Sequence, residues 1–266
     1  MKRSFKLGAM AVACAAGVMV SAGAANFTSS ADRLHEVGLF QGTGTTASGA
    51  PQYDLDRAPT RAEAAVMLVR LLGKEADAKA LTYTAPFTDL EGWEAPYVQY
   101  LYDNKLTTGA TATTFEPKAK CSAQMYTTFL LRSLGYSDAQ NGDFTYTGAL
   151  DFASDHVGLI DESFCDTNNF LRDNVAAMSL EALATPVKAT DITLLDKLIA
   201  DGAIDQIKAA PLSSFIDLAE SYNKAVSTPI TRAEQDVTAR MTMKASGMEI
   251  TTDSVMNTKA YVDPDK

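Results

Sequence analysis

Thr60-Arg61-Ala62-Glu63-Ala64-Ala65-Val66-Met67-Leu68-Val69-Arg70-Leu71-Leu72-Gly73 decides the fold. Thr60 is a helix-capping residue, and Glu63, three positions on, reaches back to complete a capping box; Pro59 suits the entry and Gly73 the exit. Between Ala64 and Leu72 only Arg70 is charged, so the helix is apolar nearly all round and belongs at the centre of a fold. Such a helix needs neighbours on several sides. The chain supplies them by repetition. Ser122-Ala123-Gln124-Met125-Tyr126-Thr127-Thr128-Phe129-Leu130-Leu131-Arg132-Ser133-Leu134-Gly135 lies over the first segment 62 residues later, with the arginine, a leucine and the closing glycine in register. A third copy, Leu171-Arg172-Asp173-Asn174-Val175-Ala176-Ala177-Met178-Ser179-Leu180-Glu181-Ala182-Leu183, follows Ser122 by 49.

A shorter helical stretch, a glycine turn and an aromatic residue precede each copy. In the first, Ser30 caps a helix running to about Val37, then come Gly38-Leu39-Phe40-Gln41-Gly42 and, after a polar loop, Tyr53. The second has Phe87-Thr88-Asp89, Trp93, a helix over 95–104, Leu106-Thr107-Thr108-Gly109 and Phe115. The third is weaker, with a helix over 150–157, Gly158-Leu159-Ile160 and Phe170, and a further amphipathic helix over 192–200 ends at Gly202. The period changes after Pro211. Phe215, Leu218, Ala219, Tyr222 and Val226 keep helical spacing; from Val237 apolar and polar residues alternate, Ser246-Gly247 turns and 249–262 returns as a strand.

A chain of 266 residues with 46% hydrophobic and 21% charged side chains buries an ordinary core, which excludes collagen-like, low-complexity and multi-pass membrane classes. Lys2, Arg3 and Lys6 before the apolar run 7–20, then Ser21-Ala22-Gly23-Ala24, read as a secretory signal over 1–24, too short to be a membrane span and cleaved near Ala25. Its loss leaves 20 basic against 33 acidic side chains, so a general nucleic-acid binder is excluded. With two histidines and three cysteines there is little material for a metal centre or a histidine-based triad; neither metal, cofactor nor catalysis is expected. Cys121 and Cys165 remain in the exported part, where a disulfide between them and two free core thiols are both open.

Phe87-Thr88-Asp89, Trp93-Glu94-Ala95-Pro96-Tyr97-Val98, Leu106-Thr107-Thr108-Gly109, Thr114-Phe115-Glu116-Pro117 and Thr60-Arg61-Ala62-Glu63 resemble the S-layer homology family over residues 26–204. The resemblance implies a mainly α fold in which three helix-loop-helix units, at 26–84, 85–139 and 140–205, form one pseudo-threefold bundle. Residues 211–266 would add a helix and a β-hairpin faintly similar to the opening of lipoprotein-type half-barrel domains. It also implies non-covalent anchoring to an anionic secondary cell-wall polysaccharide, often one bearing a pyruvate ketal. A sugar carboxylate wants a planar guanidinium and the N–H groups of a helix N-terminus.

By resemblance, Arg61 is the main carboxylate contact, Thr60 and Glu63 order the helix start, Gly42 and Gly109 keep the neighbouring loops low, Trp93 stacks or packs, and Asp89 and Arg172 belong to the same machinery. The second copy has Ala123 and Met125 where the first has Arg61 and Glu63; the third keeps Arg172 beside Leu171 and Asn174. Thr231-Arg232-Ala233-Glu234 precedes strand alternation and is a decoy. Asp54 and Asp56 read as a solvated turn, and His35 and His156 as helix-surface residues. Two other roles stay open: a lattice protein packing against other copies of itself, and an anchor for a lipid-binding or enzymatic domain beyond residue 266.

Overall fold

The computed structural model describes residues 27–161 and 164–225. The expected signal segment, the expected hairpin and Thr231-Arg232-Ala233-Glu234 lie outside them. The described residues are mainly helical: α1 (Thr28–Glu36), α2 (Arg61–Leu71), α3 (Glu75–Lys79), α4 (Ala95–Asp103), α5 (Ala123–Ser133), α6 (Ala149–Phe152), α7 (Arg172–Ala184), α8 (Leu194–Ala200) and α9 (Gln206–Ala225). Where the sequence reads as a polar loop, β1 (Gly44–Thr45) and β2 (Pro51–Gln52) pair antiparallel.

The three repeated helices are α2, α5 and α7. The apolar pattern of α2 buries Ala62 and the run from Ala64 to Val69, and every residue of α7 is buried. Each lies against the short helix of another repeat: α2 on α4, α5 on α6, α7 on α1. α2 also touches α5, and α5 touches α7. Backbone joints sew the repeats together. The Arg61 and Ala62 N–H groups donate to Ala119 and Pro117 carbonyls, at 2.8 and 3.1 Å, and those of Arg172 and Asp173 donate to Arg57 and Leu55, at 3.0 and 3.1 Å. The donors that a helix start leaves open are thus closed by a loop from a different repeat.

Several elements differ from the sequence reading. Ser30 does not cap α1, which starts at Thr28 and carries Ser30 buried within it. The third short helix is split into a 3-10 turn (Tyr146–Gly148), α6 and a π-helical turn (Ala153–Val157), closed by Gly158 at φ 70°. α3 follows Gly73 directly and was not legible in the pattern. α9 starts before Pro211 and runs through it. The missing proline N–H leaves the Ile207 carbonyl without its helical donor, and Ile207 is 85% exposed, on the solvent side of the helix. α9 seats Ala209, Leu212, Phe215 and Ile216 in the common core, and the buried Arg33 guanidinium of α1 stacks 3.7 Å over the Phe215 ring.

Cys121 and Cys165 are buried free thiols, so the disulfide left open by the sequence is not formed. Burial pushes them up to about 12 and about 11. They stand at different joints: the Cys121 N–H bonds to Pro59 at the head of α5, the Cys165 N–H to Asp161 in the third repeat.

One titration is built into the joint of α1 and α7. The Phe27 N–H donates to Asp173 Oδ1 at 2.8 Å, and burial, opposed by this bond, raises the Asp173 carboxyl from 3.8 to about 6. A carboxyl raised in the folded state contributes stability that is complete below its unfolded value and lost as pH rises through about 6. Asp173→Asn keeps an acceptor for Phe27 without the charge. It is expected to raise stability at pH 7 by about 2 kcal/mol, with the gain closing below about pH 4. Thermal unfolding of both proteins across pH 3–8 checks this, and identical curves would contradict it.

Candidate functional site

The start of α2 faces an open cavity of about 400 Å³, lined by Arg61 with Thr107, Thr108, Gly109, Ala110 and Glu116 of the second repeat's loop, by Met125, Thr128, Phe129 and Arg132 of α5, and by Asp138 and Tyr146. Arg61 is held at its edge. Its Nε donates to the Phe115 carbonyl at 2.7 Å, its Nη1 lies 3.0 Å from Met125 Sδ, and its guanidinium carbon sits 5.1 Å over the Phe115 ring. No carboxylate among the described residues pairs with it, and its Nη2 has no protein partner there. A half-buried, half-satisfied guanidinium beside an open cavity is a ready donor for an oxyanion.

Thr60 and Glu63 do what the sequence reading assigns them. Thr60 Oγ1 accepts the Glu63 N–H at 3.1 Å and Glu63 Oε2 accepts the Thr60 N–H at 2.8 Å. A residue the sequence reading missed completes the arrangement: Arg57 grips both Glu63 oxygens, at 2.8 and 2.6 Å. Burial raises the Glu63 carboxyl, but the Arg57 and Thr60 bonds outweigh it and hold it below the usual carboxylate range. The signal was present, since a lone arginine precedes the proline at the helix entry. The backbone N–H groups of this helix start are spent on Ala119, Pro117 and Thr60, so they are not open to meet an anion as the sequence reading expects.

Asp89 positions a loop. Its two oxygens accept the N–H groups of Phe115 and Glu116 at 2.9 and 2.7 Å, which fixes Glu116 in the left-handed region at φ 58° and aims the Phe115 carbonyl at Arg61. Burial raises Asp89, and these two N–H bonds with the Arg61 charge overcome it, so it stays ionised below the ordinary range. Gly109 and Gly42 let two loops close. A Cβ on Gly109, at φ 83°, would lie 2.3 Å from the Phe87 ring and 2.7 Å from the Thr111 carbonyl; on Gly42 it would lie 2.5 Å from the Gln52 carbonyl. Gly109→Ala is therefore expected to cost about 3 kcal/mol in urea unfolding, and a loss below about 1 kcal/mol would contradict this packing.

Arg172 stands at the equivalent position of α7 but is 4% exposed. Its Nε donates to the Tyr53 carbonyl at 2.7 Å, its Nη2 to Gln41 at 3.4 Å, and Phe40 covers its face at 5.6 Å. The loop carrying Gly42 thus closes over Arg172, whereas the loop carrying Gly109 leaves Arg61 open. In α5 the small Ala123 is buried at the same place. Trp93 is 59% exposed ahead of α4 and does not line the Arg61 cavity. Asp54 accepts from Thr43 and Gln52, and His35 lies partly buried at the surface with Nδ1 3.0 Å from the Phe40 carbonyl. Among the described residues no cluster of histidine, cysteine and acidic side chains fits a metal ion, and no helix is long and apolar enough to cross a membrane.

The loop with its Asp89 anchor, Gly109 turn and Phe115 carbonyl, running up to the cap of α5, coincides with a known family pattern. Residues 86–122 match the S-layer homology domain. Over 112 residues the chain is 30% identical to the middle cell wall protein of Brevibacillus brevis and to the surface layer protein of Brevibacillus choshinensis, each match covering 41% of this chain and 10% of the relative. It is 28% identical over 109 residues to an endoglucanase of Bacillus sp., covering 36% of this chain and 12% of that enzyme. The chain thus spans about a tenth of the length of these relatives.

Proposed function

We propose that this chain is the wall-anchoring unit of an exported bacterial surface protein, holding an anionic secondary cell-wall polysaccharide non-covalently and catalysing nothing. The observation that carries the proposal is Arg61: a guanidinium fixed by Phe115 and Met125, ion-paired with no carboxylate among the described residues although its charge reaches Asp89, at the edge of an open 400 Å³ cavity. The S-layer homology match over 86–122 and the similarity to a middle cell wall protein and a surface layer protein support the location.

Three copies turned about a common pseudo-threefold axis account for the cyclic packing of α2 on α4, α5 on α6 and α7 on α1. In that arrangement three grooves separate the repeats, and this chain keeps one of them open at an arginine. A pyruvate ketal presents the planar carboxylate that such a guanidinium fits. The exported chain carries 20 basic and 33 acidic side chains, so long-range attraction to an anionic polymer is absent and the contact is short-range.

Equilibrium binding to the purified polysaccharide, before and after mild acid removal of its ketal, tests the reading. Binding that disappears with the ketal is the expected result; equal binding of both forms would overturn the ligand assignment.

A further inference from the structure

A second cavity, of about 450 Å³, opens at the other end of α2, between α3 and the start of α9. Its charged lining is Arg70, Lys79 and Lys208 against Glu75 and Asp205, an excess of cations in a chain of net charge −10. The internal repeat supplies a comparison. The register that lays Thr60 over Ser122 also lays Arg70 over Arg132 and Ala76 over Asp138.

Arg132 is saturated: Nε and Nη2 donate to the two oxygens of Asp138 at 2.9 and 2.7 Å, and Nη1 donates to the Leu106 carbonyl at 2.8 Å. Arg70 has lost that partner, because alanine stands in place of the aspartate. Its Nη2 reaches Glu75 Oε1 at 3.0 Å, but its Nε is buried with no acceptor and its Nη1 has none among the described residues. Glu75 does not fill the gap. Its Oε1 is already shared with Lys79 at 2.9 Å and Tyr97 at 2.7 Å. Asp205 is occupied as well, accepting the Lys208 backbone N–H at 2.9 Å, while the Lys208 ammonium makes no ion pair among the described residues.

We propose that this cavity is a second anion site, in which a phosphoryl or carboxylate group of a ligand takes beside Arg70 the place that Asp138 takes beside Arg132, with Lys208 as its second cation. The site is independent of the Arg61 groove, since the two arginines stand nine residues apart on α2, roughly 13 Å along the helix. Exposed Ala76 stands where the second repeat has Asp138, so the carboxylate that meets Arg70 is Glu75, on Nη2 alone.

The test is a titration of the full chain with inorganic phosphate and, separately, with acetate, followed by the arginine side-chain N–H resonances. Saturable movement of the Arg70 Nε–H signal is expected, weakened about tenfold or more in Ala76→Asp, which restores the internal carboxylate on a surface that tolerates it. Lys208→Ala should weaken it as well, and Arg61→Ala should leave it unchanged. Tighter phosphate binding assigns a phosphoryl ligand and tighter acetate binding a carboxylate one; either supports the site. Absence of a saturable shift, wild-type binding by Ala76→Asp, or loss of the shift in Arg61→Ala would each overturn it.

Discussion

Arg61→Ala is expected to weaken binding of the purified wall polysaccharide by about 10- to 100-fold, the range that loss of a charge-assisted hydrogen bond of roughly 1.5–3 kcal/mol implies. Thermal unfolding should barely change. The Arg61 side chain is partly exposed, and its one oxygen partner, the Phe115 carbonyl, is also tethered through the Phe115 N–H to Asp89, so water can replace the lost donor without releasing the loop. The loss appears large because Arg172 and Ala123 offer no open guanidinium at the other two joints, leaving no second groove to sustain avidity. Calorimetric titration beside a melting curve checks both halves. Unchanged affinity, or a loss of affinity matched by a large loss of stability, would remove Arg61 from the binding site.

Arg172→Ala should do the opposite. Arg172 is buried against Phe40, and its donors satisfy the Tyr53 and Gln41 carbonyls at 2.7 and 3.4 Å. Truncation leaves those carbonyls short of donors and opens a void between α7 and the first repeat's loop. The expected cost is about 3 kcal/mol of unfolding free energy. Arg172→Lys should recover little of it, because an ammonium cannot span the geometry that the planar fork holds. Denaturant unfolding that shifts by less than about 1 kcal/mol would show that Arg172 does not carry this joint.

These two arginines occupy the same place in the repeat, and the sequence distinguishes them only by their neighbours, Thr60 and Glu63 around Arg61 and Leu171 and Asn174 around Arg172. What separates them is the loop that each meets, which belongs to another repeat. A spacing of 62 residues announces that helices recur; it does not say that α2 will lie on α4 or that α7 will meet the loop of the first repeat. The helix starts at Thr60 and Ser122 were legible because capping is local: the cap and its third residue are bonded to each other in the structure. Glycine at 109 was legible as a low loop, for a Cβ there meets Phe87. Arg57 was missed because its partner, Glu63, was already explained by the capping box. Asp89 as the anchor of the Phe115 loop was not legible, because the two backbone donors it holds lie 26 and 27 residues further along the chain. Pro211 misled for a local reason as well. Proline usually breaks a helix, but here the orphaned carbonyl belongs to an exposed residue and the apolar stripe beyond it has a core to join.

On the proposed reading the chain holds to the wall through its polysaccharide. Co-sedimentation of the full chain with purified cell walls, intact and stripped of secondary polysaccharide, tests it most directly. The chain should pellet with intact walls and stay in the supernatant with stripped ones. Equal pelleting with both, or none with either while the protein remains folded, would contradict the account.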